Sequence, residues 1–289
     1  MTTELKPAQA ESRFLTSGDG VRLHYLDWGN PDAPPLICTH GFAMSAESFN
    51  MFARRFRDRY HIIAFDMRGH GNSGTAPPET YVYTYHVADL EAAVNTLGLD
   101  RFTLVGSSMG GRTGMLYVDR HPERVDRMVV NDVGAVAHPN GISPANGLTR
   151  PKEFATPEEA LPYLLQAMRP FNTLSAEERV EQARGLLRQR EDGAWVWKLD
   201  QELVRQRRRR DGPPPPRLPD MWQVLERIQC PTLVVWAEFS HFLDQPQARK
   251  MAEVLPRGEL VEVPGVGHPP WLTEPVALEA LERFLGKVE

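Results

Sequence analysis

The residues best suited to chemistry lie in the stretch "GSSMGG", Gly106 to Gly111. It follows an apolar run, "FTLVG" (102–106), that reads as a strand, and it opens a helical stretch, Met109–Arg120. G-x-S-x-G in such a strand–turn–helix setting holds its central serine on a tight turn with the hydroxyl exposed. The flanking glycines permit that turn and the close approach of neighbouring backbone. Ser108 is therefore the candidate nucleophile, and Ser107 is expected to pack or cap. A serine hydroxyl needs a general base that titrates near neutrality. His268, in "VPGVGHPPW" just past the last expected strand, fits that role. Attack on a carbonyl also needs donors for the charge that develops on oxygen. The backbone amides of Phe42, in "THGFAMS", and of Met109 are the expected pair. His40 in the same loop, and Asp66, Arg68 and His70 of "DMRGHGNSG" (66–74), read as structural.

These side chains need a scaffold, and the apolar pattern supplies one. Short apolar runs at 35–39, 61–65, 102–106, 127–132, 231–237 and 259–263 alternate with helical spacing at 46–56, 85–97, 109–120, 247–255 and 274–284. An alternating segment at 21–27 is expected to pair with another near 12–16. Apolar strands separated by helices imply a largely parallel sheet covered on both faces, with function at the carboxyl ends of its strands. From about 135 to 219 the rhythm stops. Helix candidates lie at 156–168, 175–189 and 199–208, with capping boxes at Ser175/Glu178 and Thr156/Glu159, and "DGPPPPRLP" (211–219) makes a stiff exit. The expected organisation is a core of residues 1–134 and 220–289 with a helical cap, 135–219, inserted after the sixth strand.

Composition excludes several classes. The chain of 289 residues is 41% hydrophobic and 25% charged with net charge −5, so no nucleic-acid partner is expected, the short run "RQRRRR" (205–210) notwithstanding. No apolar run reaches the ~18 residues that cross a bilayer. The N-terminal stretch does not read as a secretory signal, and two cysteines in apolar runs, Cys38 and Cys230, read as buried thiols, so a cytoplasmic location is expected. Neither a metal-ligand spacing such as H-E-x-x-H nor a G-x-G-x-x-G fingerprint occurs, so no metal or cofactor is expected; a homodimer remains open.

Taken together, "HGF" after the third strand, "DMRGHGNS" after the fourth, "GSSMGG", "NDVG" at the end of the sixth strand and the closing "GHPPW" resemble the α/β-hydrolase fold superfamily in its cap-bearing form, over essentially the whole chain. The resemblance implies an eight-stranded, mostly parallel sheet. A serine at the elbow argues against the dehalogenases and epoxide hydrolases of that superfamily, which use aspartate. It also implies a carboxylate in the loop after the seventh strand, where "WAEFSHFLD" has Ser240-His241 instead. Some members take their acid from the end of the sixth strand, which makes Asp132 the preferred candidate; Glu238, Asp244 or no acid at all are the alternatives. An orienting carboxylate fixes the histidine tautomer, and its loss costs about 10⁴ in turnover in serine proteases.

The resemblance leaves the substrate open. Cleavage of a carboxylic ester or lactone through an acyl-enzyme is the first expectation. Carbon–carbon bond hydrolysis of a diketone from ring fission, cofactor-free oxygenation of a heteroaromatic ring, and ligand binding without turnover are the alternatives. Among the aromatic residues Phe42, Tyr163, Phe171, Trp195, Trp197, Trp222 and Trp271, only Phe42 and Trp271 are expected to line a small, largely apolar pocket, with His241 as a further candidate contact. The arginines at 207–210 read as a solvated helix face rather than a site for an anionic substrate.

Overall fold

A computed structural model describes residues 9–136, 153–167, 172–208 and 217–286. The strands of the main sheet are β1 (Glu11–Thr16), β2 (Arg22–Asp27), β3 (Pro35–Thr39), β4 (His61–Phe65), β5 (Phe102–Ser107), β6 (Val125–Asn131), β10 (Thr232–Phe239) and β11 (Gly258–Gly267). Their order across the sheet is β1-β2-β4-β3-β5-β6-β10-β11. β2 runs antiparallel to β1 and β4, and every pairing from β4 to β11 is parallel.

Both faces of this sheet are covered, which is why its central strands are apolar at successive positions rather than alternating. Along β4 and β5, Ile63 and Leu104 enter one core while their neighbours Ile62 and Val105 enter the other. The first core is completed by helices α2 (Tyr83–Thr96), α3 (Met109–Arg120), α7 (Met221–Arg227) and α8 (Gln245–Val254). The second is closed by α1 (Asn50–Phe56) and α9 (Pro275–Leu285), through Phe52, Phe56, Leu281 and Phe284. Cys38 and Cys230 are buried free thiols.

Among the described residues between β6 and α7 the chain forms α4 (Leu161–Ala167), α5 (Ala176–Gly185), α6 (Gln201–Arg208) and three short strands, β7 (Glu153–Phe154), β8 (Leu187–Gln189) and β9 (Trp195–Trp197). The strands pair antiparallel in the order β7-β9-β8. This part of the chain is thus not wholly helical: the residues after Gly185, expected to continue a helix to Gln189, turn into a hairpin around Gly193. Strands of two or three residues are too short to show a period of two in sequence. The capping box at Ser175/Glu178 is made in both directions. The one at Thr156/Glu159 is not, because the Glu159 carboxylate takes the amide of Ala155 and Pro157 opens a 3₁₀ turn. Phe171, the side chains of the arginine run 207–210, and 137–152 lie outside the described residues.

This inserted region is fastened to the sheet around its rim. Gly71 N–H donates to Lys198 O and Asp200 N–H to Gly69 O, so the turn after β4 acts as a short pairing edge for residues 198–200. Lys198 pairs with Glu47 at 2.7 Å, Arg54 with Glu181 at 2.7 Å, and Ser45 Oγ donates to Gly185 O at 2.9 Å. An apolar cluster from both sides, including Met44, Met51 and Trp271 below and Phe154, Leu164 and Leu186 above, fills the space between.

Candidate active site

The carboxyl ends of β3, β5, β6, β10 and β11 lie side by side, and parallel register brings the residues after them together. Ser107 is level with Asn131, and Asn131 with Val235. The next residues, Ser108 and Asp132, therefore project from adjacent strand ends. Both have left-handed backbones, with φ of 51° and 55°. Non-glycine residues held there cost roughly 1–3 kcal/mol each and persist only where the surroundings over-determine them.

At Ser108 the surroundings are glycines. A Cβ on Gly106 would stand 2.6 Å from Gly111 Cα, and one on Gly110 would stand 2.1 Å from Thr39 O. Only bare backbone lets α3 start this close to β3 and β5. Ser108 N–H donates to Asn131 O at 2.8 Å, which ties the elbow to β6.

Three side chains then form a hydrogen-bonded line. His268 Nε2 is 2.8 Å from Ser108 Oγ, and His268 Nδ1 is 2.8 Å from Asp132 Oδ2. Asp132 is fully buried, and its other oxygen accepts the Ala237 amide at 3.2 Å. A carboxylate only accepts, so Nδ1 carries the imidazole proton and Nε2 is left to accept from the serine hydroxyl. That is the tautomer a general base requires.

The other acid candidates are occupied elsewhere. Glu238 is exposed and accepts the amide of Gly265 at 2.8 Å. Asp244 caps α8 through the Gln247 amide at 2.8 Å. Ser240 Oγ accepts the amides of Phe242 and Leu243 at 3.2 and 3.1 Å, so it organises a turn. Ser107 Oγ accepts from Asn131 Nδ2 at 3.0 Å, and the same amide group donates to Pro270 O at 2.9 Å. Asn131 thereby links the elbow strand to the histidine loop, a role that its place in "NDVG" does not signal.

The loop after β3 runs beside Ser108, where a Cβ on Gly41 would lie 3.1 Å from Ser108 Cβ. Phe42 follows directly, and Met109 is the first residue of α3, whose opening amides have no partner within the helix. His40 is buried, accepting from Met67 N–H through Nε2 at 3.0 Å with Nδ1 2.7 Å from Gly41 O. Asp66 is buried among His24 Nδ1 and the amides of Ala46 and Asn72. Burial alone would push its carboxyl up, but these bonds and the nearby His40 hold it below the usual range. Arg68 is clamped between Asp89 and Asp19. His70 is buried with Nδ1 3.0 Å from Arg68 O, and its ring meets that of Phe42 edge-on at 5.6 Å. These contacts brace the loop after β3 from below.

Of the expected pocket residues, Phe42 is partly buried beside the site. Trp271 is only 5% exposed and sits in the cluster under the inserted region. His241 lies with its ring 5.9 Å from that of His268. Closer still, and not foreseen, is Phe242, whose ring centroid is 4.1 Å from that of His268. Among the described residues no group of three or more His, Cys, Asp or Glu is arranged to hold a metal, and no helix is long and apolar enough to cross a membrane.

A family model described as the alpha/beta hydrolase fold matches residues 34–275, and the chain belongs to that family as a hydrolase. It is 29% identical over 276 residues to a 3-hydroxybutyrate-oligomer hydrolase of Cupriavidus necator, covering 91% of this chain and 92% of that one. A bifunctional esterase/perhydrolase of Acinetobacter calcoaceticus is 25% identical over 88% of this chain and 92% of its own. The crystal structure of an alpha/beta hydrolase from Novosphingobium aromaticivorans superposes with a TM-score of 0.86 at 30% identity, covering 97% and 99% of the two chains.

Proposed function

We propose that the chain is a serine hydrolase cleaving a carboxylic ester or lactone of a small, largely apolar substrate through an acyl-enzyme. The observation that carries this reading is the line from Ser108 through His268 to Asp132, set beside the loop of Gly41 and Phe42. Ser108 Oγ attacks the carbonyl carbon while its proton passes to His268 Nε2. Charge develops on the carbonyl oxygen, facing the amides of Phe42 and Met109. Collapse expels the alcohol, which takes the proton from His268. Water then repeats the sequence on the acyl-enzyme, releasing the acid and restoring the serine. Asp132 stabilises the imidazolium in both halves, and the inserted segments 153–167 and 172–208 act as the cap that excludes bulk water.

Ester chemistry is favoured over carbon–carbon cleavage because an oligomer of 3-hydroxybutyrate is joined by carboxylic esters and the second relative is named an esterase. One observation favours a second reading: an acid after β6 is a feature in which the chain resembles the cofactor-free oxygenases of the superfamily. Both are tested together by fluorophosphonate labelling of Ser108, followed by intact mass, beside a panel of p-nitrophenyl esters, lactones and a diketone. Fast labelling and ester turnover, both abolished in Ser108→Ala, are expected. Oxygen uptake with a heteroaromatic substrate and no ester turnover would replace the hydrolytic reading with the oxygenase one.

A further inference from the structure

The loop after β10, where the resemblance implied an acid, holds a serine, a histidine and a phenylalanine instead. Two of these act on one another. Ser240 Oγ accepts the amides of Phe242 and Leu243, and Trp236 Nε1 donates to Leu243 O at 2.8 Å, so the backbone carrying Phe242 is fixed on both sides. Phe242 in turn stands 4.1 Å from the His268 ring, tilted by 44°. That separation is too short for two rings lying edge to edge, so Phe242 overlies the imidazole. The His241 ring backs it at 4.5 Å.

We propose that Phe242 is a positioning residue for His268, the aromatic half of a clamp whose polar half is Asp132. The two hydrogen bonds of His268 leave from Nδ1 and Nε2, the ring nitrogens that flank Cε1. They define an axis through the imidazole and barely resist tilting about it, because tilt moves neither nitrogen off its partner. A ring packed over the imidazole removes that motion. It also places an aromatic π-face within ~6 Å of the positive charge that His268 acquires during attack, a favourable electrostatic contact. When the acid is donated from β6, the loop after β10 no longer supplies a carboxylate and is free to supply this wall.

The inference rests on the reading of Ser108, His268 and Asp132 as catalytic, and the test separates the two. Fluorophosphonate labelling rates and p-nitrophenyl butyrate kinetics are measured in wild type, Phe242→Leu and Phe242→Tyr, with thermal unfolding of each. Phe242→Leu is expected to label roughly tenfold more slowly, the equivalent of about 1.4 kcal/mol in the barrier, with the loss in kcat rather than KM and little change in Tm. Phe242→Tyr, which keeps the flat ring, is expected to label within about threefold of wild type. If Phe242→Leu unfolds, Phe242→Met and Phe242→Trp give the same comparison of flexible against flat side chains. Leucine or methionine labelling at the wild-type rate would overturn the proposal alone, as would equal losses in the flat and non-flat variants. A wild type that does not label at all would overturn the catalytic reading and this inference with it.

Discussion

Asp132 sits at a left-handed corner with both carboxylate oxygens committed, one to His268 and one to the Ala237 amide. A side chain so placed has no freedom to serve a second purpose, and its substitution separates the candidate acids cleanly. Asp132→Asn keeps the shape but leaves one acceptor oxygen where a carboxylate offers two, to His268 Nδ1–H and to the Ala237 amide. Labelling of Ser108 and ester turnover are expected to fall at least tenfold, towards the ~10⁴ seen when this group is lost elsewhere. Glu238→Gln keeps an oxygen acceptor for Gly265 and lies outside the line. Its labelling rate is expected to stay within twofold of wild type. A large loss in Glu238→Gln with none in Asp132→Asn would reverse the assignment. Sequence could name both carboxylates but not choose between them on chemistry, because the choice depends on register across three strands. Ser107, Asn131 and Val235 are level only once β5, β6 and β10 are paired. The same limit hid Asn131 and Phe242, whose partners are 24 to 139 residues away in one case and 26 in the other.

At the scale of elements, the sheet was legible because its strands are buried on both faces and bounded by glycine, proline and charge; β3, β4 and the helix α3 have the residues expected for them. The inserted region was less legible. Its β strands are two or three residues long, and its apolar residues pack into a cluster shared with the sheet domain. That cluster includes Trp271, three residues past His268, so the loop bearing His268 is packed against the region above it. Glu274, whose carboxyl is pushed up by burial, accepts the Trp271 amide and anchors the same loop to the start of α9. Trp271→Ala should therefore act on stability and on the site together. A loss of about 3–5 kcal/mol, the usual cost of emptying a buried tryptophan position, is expected by denaturant unfolding, with slower Ser108 labelling at temperatures where the variant is still folded. Trp271→Phe is expected to recover most of both. An alanine variant of wild-type stability would show that the cluster does not bear on the loop.

Across the whole molecule, three buried histidines lie beneath the joint between the sheet and the inserted region. His70 forms a bridge to Leu199, its ring is 5.2 Å from that of His40, and His86 lies on α2. Burial lowers the pKa of all three; for His86 burial and the charge of Arg68 bring it to about 3, and His70 is held well below its ordinary value by burial and by His40. In the unfolded chain each titrates near 6.5. Between that value and the folded one, the unfolded chain binds a proton that the folded chain refuses, so stability rises with pH and is lost as the solution is acidified. For one such histidine the slope approaches about 1.4 kcal/mol per pH unit below 6.5. Neighbouring carboxyls do not mask it in the upper part of that window: Asp66 is held below its usual range, and the buried Asp89, raised by burial against its bonds to Arg68, contributes with the opposite sign only closer to its own titration. Urea unfolding between pH 7.5 and 5.5 should therefore show a falling free energy. The slope should flatten in His86→Leu, which removes a titrating ring whose Nδ1 has no hydrogen-bond partner. An unchanged slope in that variant would mean that other groups carry the acid sensitivity, and that the joint is not where protons first act.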